Sequence, residues 1–223
     1  MYDAILYGRE PDPALPPNEP IKAYAPGSPE RAALSAEYEA LAADPPEIPL
    51  VIGGKEVRTG RIKELRSPHD RSLVIGRYHE AGEAEARAAV EAAGKAARDW
   101  ARTPFSERAA VLRKAADMIS EGWWKTLNAA TMLGQSKNAY QSEIDAVCET
   151  VDFLRFNVHY MTRLYAGQPL NAPGAWNRME YRPLEGFVLA VTPFNFTAIA
   201  ANLPTAPAMM GNTVVWKPAT TAV

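Results

Sequence analysis

Two side chains stand where an apolar run gives way to a loop, and both suit chemistry on a polar ligand. Asn195 lies in Thr192-Pro193-Phe194-Asn195-Phe196, directly after Phe187-Val188-Leu189-Ala190-Val191. A side-chain amide offers two N–H donors and carries no charge, so in a dry site it can stabilise an oxyanion as it forms. The other reading is an asparagine that satisfies backbone groups of its own loop. Lys217 follows Thr213-Val214-Val215-Trp216 and has Pro218 behind it, which fixes the direction of exit. A cation there can hold the ribose hydroxyls or a phosphate of a nucleotide, or it can simply be a solvated strand-end lysine. No Gly-x-Gly-x-x-Gly occurs, so the usual dinucleotide fingerprint gives no support. Spacing alone leaves an α/β domain whose ligand is unnamed.

Fewer residues could make or break a covalent bond. Cys148 is the single cysteine, set on an apolar-periodic stretch beside Val147 and Val151. No histidine within a helical turn and no helix N-terminus is there to lower its pKa, so it reads as a packing residue. His69, His79 and His159 are too scattered to suggest a metal site, and none is expected.

The elements that must position these groups follow from punctuation and period. Pro11, Pro13, Pro16, Pro17 and Pro20 make the start an extended arm. Ser28-Pro29-Glu30 opens a helix that runs to about Ala43, before Pro45-Pro46. Gly53-Gly54 centres a hairpin over 48–57, and a further strand is expected over 73–78. Helical spacing then predicts segments over 83–100, from Thr103 towards Leu133 with an interruption at Gly122 and a glycine stop at Gly134, and over 139–164. Arg178–Arg182 and Phe187–Val191 read as strands, the second apolar throughout, as in a strand covered on both faces. A small-residue helix over 197–210, ended by Gly211, completes a parallel strand-helix-strand unit with the strand at 213–216. Ligands of such sheets bind beyond the carboxyl ends of the strands, so the Asn195 and Lys217 loops should share one crevice.

Composition bounds the function classes. A formal net charge of -2, from 24 basic and 26 acidic residues, offers no basic excess for a nucleic-acid backbone. One cysteine permits no internal disulfide and suits a reducing compartment. The first residues lack the basic start and apolar core of a secretory signal, and Asp3, Glu10 and Asp12 oppose a transit-peptide reading. No run of about 18 uncharged apolar residues suggests a membrane span. A cytoplasmic protein is expected, or a matrix protein if the source is eukaryotic.

The wording of the segments says more than their spacing. Glu185 to Phe196, with Gly211-Asn212-Thr213-Val214-Val215-Trp216-Lys217-Pro218, resembles the aldehyde dehydrogenase superfamily. Ser142-Glu143-Ile144-Asp145-Ala146 with Asp152-Phe153-Leu154-Arg155-Phe156-Asn157 is similar to the glutamate γ-semialdehyde (1-pyrroline-5-carboxylate) dehydrogenase subfamily. Pro26 to Arg31 and Ile52 to Val57 fit the same subfamily, so the resemblance covers nearly the whole chain.

The resemblance implies an α/β fold carrying the N-terminal part of a Rossmann-like NAD-binding domain. Residues 1–46 would be the arm and first helix and 47–223 that domain portion, with part of an oligomerisation hairpin near 171–185. It implies oxidation of glutamate semialdehyde to glutamate with NAD, NADP being left open, by a homo-oligomer acting on a small aldehyde. Asn195 would be the oxyanion donor and Lys217 the ligand of the adenosine ribose. Thr192, Pro193 and Phe194 would lie along the cofactor with Ala219, where the subfamily more often carries serine. Phe196 would wall the aldehyde tunnel. Glu143 would pair with the substrate's α-ammonium, the alternative being an exposed helical glutamate. The family's nucleophilic cysteine and its two glutamates match nothing here, so the chain is expected to be an N-terminal piece, inactive alone, with apolar edges on its last two strands. Other aldehyde dehydrogenases, of the succinate- or betaine-aldehyde type, and a non-catalytic partner module are the alternatives.

Overall fold

The computed structural model describes residues 14–222. The first two prolines of the expected arm, Pro11 and Pro13, lie outside these residues, as do the acidic positions weighed against a transit peptide.

The arm over 14–27 is without regular structure but is firmly attached. Asn18 Nδ2 and the Glu19 amide donate to the Asp152 carboxylate over 2.6 and 2.7 Å. The Glu19 carboxylate pairs with Arg155 at 2.6 Å and accepts from the Ser120 hydroxyl at 2.6 Å. Helix α1 (Pro29–Ala43) starts as its sequence demands, with Ser28 accepting from the Arg31 amide and Pro29 in the first turn.

Strands β1 (Glu47–Ile48), β2 (Leu50–Ile52), β3 (Lys55–Val57), β4 (Ile62–Arg66) and β5 (Val74–His79) follow. The hairpin forms between β2 and β3, with Gly53 and Gly54 both at positive φ, which the tight turn requires. Ile48, expected in that hairpin, instead pairs in parallel with β5 through β1. β4, which the sequence did not announce, pairs antiparallel with β5. Only Leu65 of β4 is buried, so no apolar alternation marks it.

Helices α2 (Glu83–Arg102), α3 (Phe105–Met118) and α4 (Trp124–Gln135) agree with the periodicity. A π-helical turn at Ile119–Trp123 replaces the interruption expected at Gly122. Gly134 does not end α4; the helix runs through it and Ser136 takes the left-handed turn, at φ 58°. The next helix is continuous in course but has three parts: α5 (Ala139–Ser142), a π segment at Glu143–Glu149, and α6 (Thr150–Ala166). Its buried face includes Val147, Val151, Leu154, Val158 and Met161, while Ile144 is half-buried.

Strand β6 (Val188–Val191), helix α7 (Thr197–Met209) and strand β7 (Val214–Lys217) form the parallel unit. Gly211 turns the chain between α7 and β7 at φ +93°, and a Cβ there would stand 2.9 Å from Pro183. One core joins α3, α6 and α7 through Ala109, Val158, Met161 and Met209; another joins the arm, α1 and α4 through Tyr24, Leu34 and Ala129.

Two expectations are corrected here. Arg178–Arg182 forms no strand among the described residues, and 171–185 holds only the bridge between Ala172 and Ala175. Amides in this stretch find side-chain oxygens instead: Met179 donates to Gln168 and Leu184 to Asn212. A strand needs a neighbouring ladder, and none lies alongside. β6 is likewise not covered on both faces. Ala190 is buried, but Leu189 is 60% exposed, and Trp216 on the neighbouring strand is 50% exposed.

Candidate functional site

β6 and β7 pair in register from Val188 with Val214 to Val191 with Lys217, so both chains leave the sheet at the same edge. The Asn195 and Lys217 loops therefore open on one side, as the sequence predicted. The exit is tied together by the Thr192 amide, which donates to the Lys217 carbonyl over 3.2 Å. Trp216 Nε1 donates to the buried Thr192 hydroxyl over 3.0 Å.

Beyond that tie the surface is open. Phe194 and Asn195 are exposed, and Phe196 is just exposed. Lys217 is exposed and forms no ion pair among the described residues. Ala219 accepts from the Ala222 amide in a turn after Pro218. Behind the loop a cavity of about 390 Å³ lies between α4, α7 and β7, lined in part by Gln135, Thr197 and Trp216.

The Asn195 loop is held from below by residues that sequence reasoning missed. Phe196 is the N-cap of α7 but supplies no side-chain cap. The free amides of Thr197 and Ala198 donate to Asp145 instead, each at 3.0 Å, so a carboxylate from another helix caps the positive end of α7. Lys137 Nζ donates to Asp145 at 2.6 Å and to the Asn195 carbonyl at 2.7 Å, and lies 4.2 Å from the centre of the Phe196 ring. From α4, Gln135 donates to the Thr197 hydroxyl, which also bonds Thr131, both at 2.8 Å. Asp145 sits in the motif read for Glu143, and its helical setting alone gave no sign that it faces α7. Lys137 lies in a turn with no periodic signal.

Glu143 is not where either reading of it placed it. Its side chain is wholly buried, neither an exposed helical carboxylate nor one open to the crevice. It accepts from the Tyr24 hydroxyl at 2.5 Å, Asn128 Nδ2 at 2.7 Å and the Lys22 amide at 3.1 Å, with Lys22 Nζ at 3.5 Å. These donors belong to the arm and α4 and occupy both carboxylate oxygens, so a substrate ammonium has no free face of Glu143 to meet. Burial, then the neighbouring Glu143 carboxylate, pushes the Tyr24 hydroxyl above its ordinary range.

Cys148 sits in the same buried cluster. Its thiol is pushed up to about 12 by burial first, then by the charges of Glu143 and Glu19. A thiol so protonated is no nucleophile, as its sequence setting suggested. Glu149, on the turn beyond, is also held above its usual range by burial and by Asp145. Of the histidines, His79 and His159 are buried and His69 bonds Ser67 and Ser136.

Residues 57–223 match the model of the aldehyde dehydrogenase family. The chain belongs to that family. Every candidate site residue lies within the matched span. Among its relatives, the delta-1-pyrroline-5-carboxylate dehydrogenase of Agaricus bisporus is 52% identical over 212 residues, covering 93% of this chain and 39% of the relative. The human mitochondrial delta-1-pyrroline-5-carboxylate dehydrogenase is 43% identical over 206 residues, covering 92% and 37%. The crystal structure of the Mycobacterium tuberculosis Delta-pyrroline-5-carboxylate dehydrogenase bound with NAD superposes with a TM-score of 0.91 at 53% identity, covering 94% of this chain and 39% of that one. The aldehyde dehydrogenase fold expected from the wording is thus the fold observed. This chain spans about two fifths of the length of these family members.

Proposed function

We propose that this chain is the N-terminal part of an NAD-dependent dehydrogenase that oxidises L-glutamate γ-semialdehyde, in equilibrium with 1-pyrroline-5-carboxylate, to L-glutamate. The observation that carries the reading is the shared exit of β6 and β7, which sets the Asn195 loop beside Lys217 in a chain 52% identical to a relative of that name. Its setting is the proline-degradation route that ends in glutamate, and its compartment the cytoplasm, or the matrix in a eukaryote. Among the described residues no helix is long and apolar enough to cross a membrane.

The residues fit the adenosine half of NAD. An exposed lysine with no ion pair among the described residues stands at a strand exit beside open backbone at Pro193 and Phe194, and its ammonium can donate to the ribose hydroxyls. Thr192 and Ala219 shape the floor of that exit. NAD bound there supplies the acceptor for the aldehyde's hydride. Asn195 donates its amide N–H to the substrate oxygen as that oxygen gains charge, and Phe196 lies beside it as an apolar wall for the carbon chain. The nucleophile and the base for deacylation match no residue of these 223, so covalent steps are assigned to none of them.

The segment over 171–185 is proposed to acquire its strand partner from a second subunit, which would make the enzyme a homo-oligomer. The test of the whole reading compares two proteins. The full-length enzyme should form NADH from glutamate semialdehyde, and the 223-residue chain should form none. Turnover by the short chain, or a full-length enzyme that ignores this aldehyde while oxidising simple alkyl aldehydes, would overturn the reading.

A further inference from the structure

Among the described residues the Asn195 loop is braced from outside itself. Its carbonyl and the two amides after Phe196 all point to side chains brought from elsewhere: Lys137, just after α4, and Asp145, in the π segment before α6. The pair is mostly enclosed, with the Lys137 side chain 17% and the Asp145 side chain 3% exposed, so little water competes for either. Asp145 divides its two oxygens between Thr197 and Ala198, and the oxygen facing Thr197 also receives Lys137. Lys137 in turn reaches the Asn195 carbonyl and lies over Phe196. Four consecutive residues, 195–198, are thereby fixed by one ion pair.

We propose that Lys137 and Asp145 are positioning residues that hold the peptide of Asn195 so that its side-chain amide faces the reacting oxygen. This rests on the oxyanion role proposed above for Asn195. The physical reason is that an oxyanion donor acts through preorganisation: an amide free to rotate must reorient as charge develops, and much of its benefit is lost. Lys137 fixes the plane of the peptide after Asn195 by its carbonyl. Asp145 fixes the amides that follow by capping α7. Neither needs to touch the aldehyde. Glu143 and Asp145 stand two positions apart on one helical segment and so face opposite sides, Glu143 turned to the arm and Asp145 to α7.

Two experiments test the clasp. In the 223-residue chain, Lys137→Met and Asp145→Asn should each speed amide hydrogen exchange at Thr197 and Ala198 by about tenfold, with α6 keeping its protection. Unchanged exchange at both amides in both variants would overturn the proposal. In the full-length enzyme the same substitutions should lower kcat by about a hundredfold, with KM for the aldehyde moving by less than about threefold. Lys137→Arg, which keeps a cation over the ring and a donor for the carbonyl, should recover most of the loss. Normal kcat in both variants, or losses that track a fallen melting temperature and are not rescued by arginine, would refute positioning. An unaltered full-length enzyme with no aldehyde activity would defeat the proposed function alone, and the exchange result would still decide the clasp.

Discussion

The Tyr24 hydroxyl donates to Glu143 over 2.5 Å, joining the N-terminal arm to a helix 119 residues further along the chain. Asn128 donates to both of them, so arm, α4 and the π segment meet at one buried carboxylate. Tyr24 holds a positive φ of 52° and lies at 6.4 Å from Trp124, which shows how tightly the arm is seated.

Removing the carboxylate should therefore unlatch the arm rather than alter substrate choice. Glu143→Ala removes the acceptor that Tyr24, Asn128 and Lys22 share, at a cost of about 3 kcal/mol. Tyr24→Phe removes one donor and should cost about 1 kcal/mol. Urea unfolding followed by tryptophan fluorescence measures both, as midpoint shifts. Midpoints unmoved by Glu143→Ala would show that the buried network contributes nothing.

The same cluster sets an alkaline limit. Cys148 and Tyr24 are both raised in the folded chain, so folding favours their protonated forms. The stability they contribute is complete below the ordinary thiol and phenol values and is lost as pH climbs from about 9 towards 12. Burial and its raised pKa keep the native thiol protonated at pH 8, so alkylating reagents should leave Cys148 unmodified until the chain unfolds. Mass spectrometry before and after urea treatment reads this out. Rapid modification of the native chain at pH 8 would contradict the placement of Cys148.

What the sequence revealed and what it hid divide along locality. The β6–α7–β7 unit was legible because apolar runs, Gly211 and Pro218 are all local signals, and so was the Ser28 cap of α1. β4 was hidden because four of its five residues are exposed. The strand read at Arg178–Arg182 shows the opposite failure: alternation is local, but a ladder needs a neighbour. For the site, Asn195 and Lys217 could be named from their strand exits. Lys137 and Asp145 could not, since their partners lie 58 and 52–53 residues away. Glu143 was singled out only by the resemblance, as a substrate acid, and its partners come from the arm and α4, which no helical pattern foretells.

Lys217 supplies a direct check on the cofactor assignment. In the full-length enzyme Lys217→Met should raise KM for NAD by about tenfold and leave kcat nearly unchanged, because a ribose contact stabilises ground and transition states alike. Isothermal titration with NAD should show the same loss. Unaltered NAD affinity would remove Lys217 from the binding set.

The last prediction concerns the face that the two parallel strands leave open. Leu189 and Val191 are exposed on one face of β6, with Phe187 at the margin, and among the described residues the two-stranded sheet has both edges unpaired. A contiguous apolar face with free N–H and C=O rows is a template for another strand. The 223-residue chain should therefore self-associate as its concentration rises and should bind a hydrophobic dye while folded. Leu189→Thr with Val191→Lys removes apolar area and adds a charge on the same strand, and should lower both signals without unfolding the helices, whose cores lie on the α7 side. Sedimentation velocity and dye fluorescence, with circular dichroism as the folding control, measure this. A chain that stays monomeric and dye-silent at high concentration would mean that this face is protected in solution.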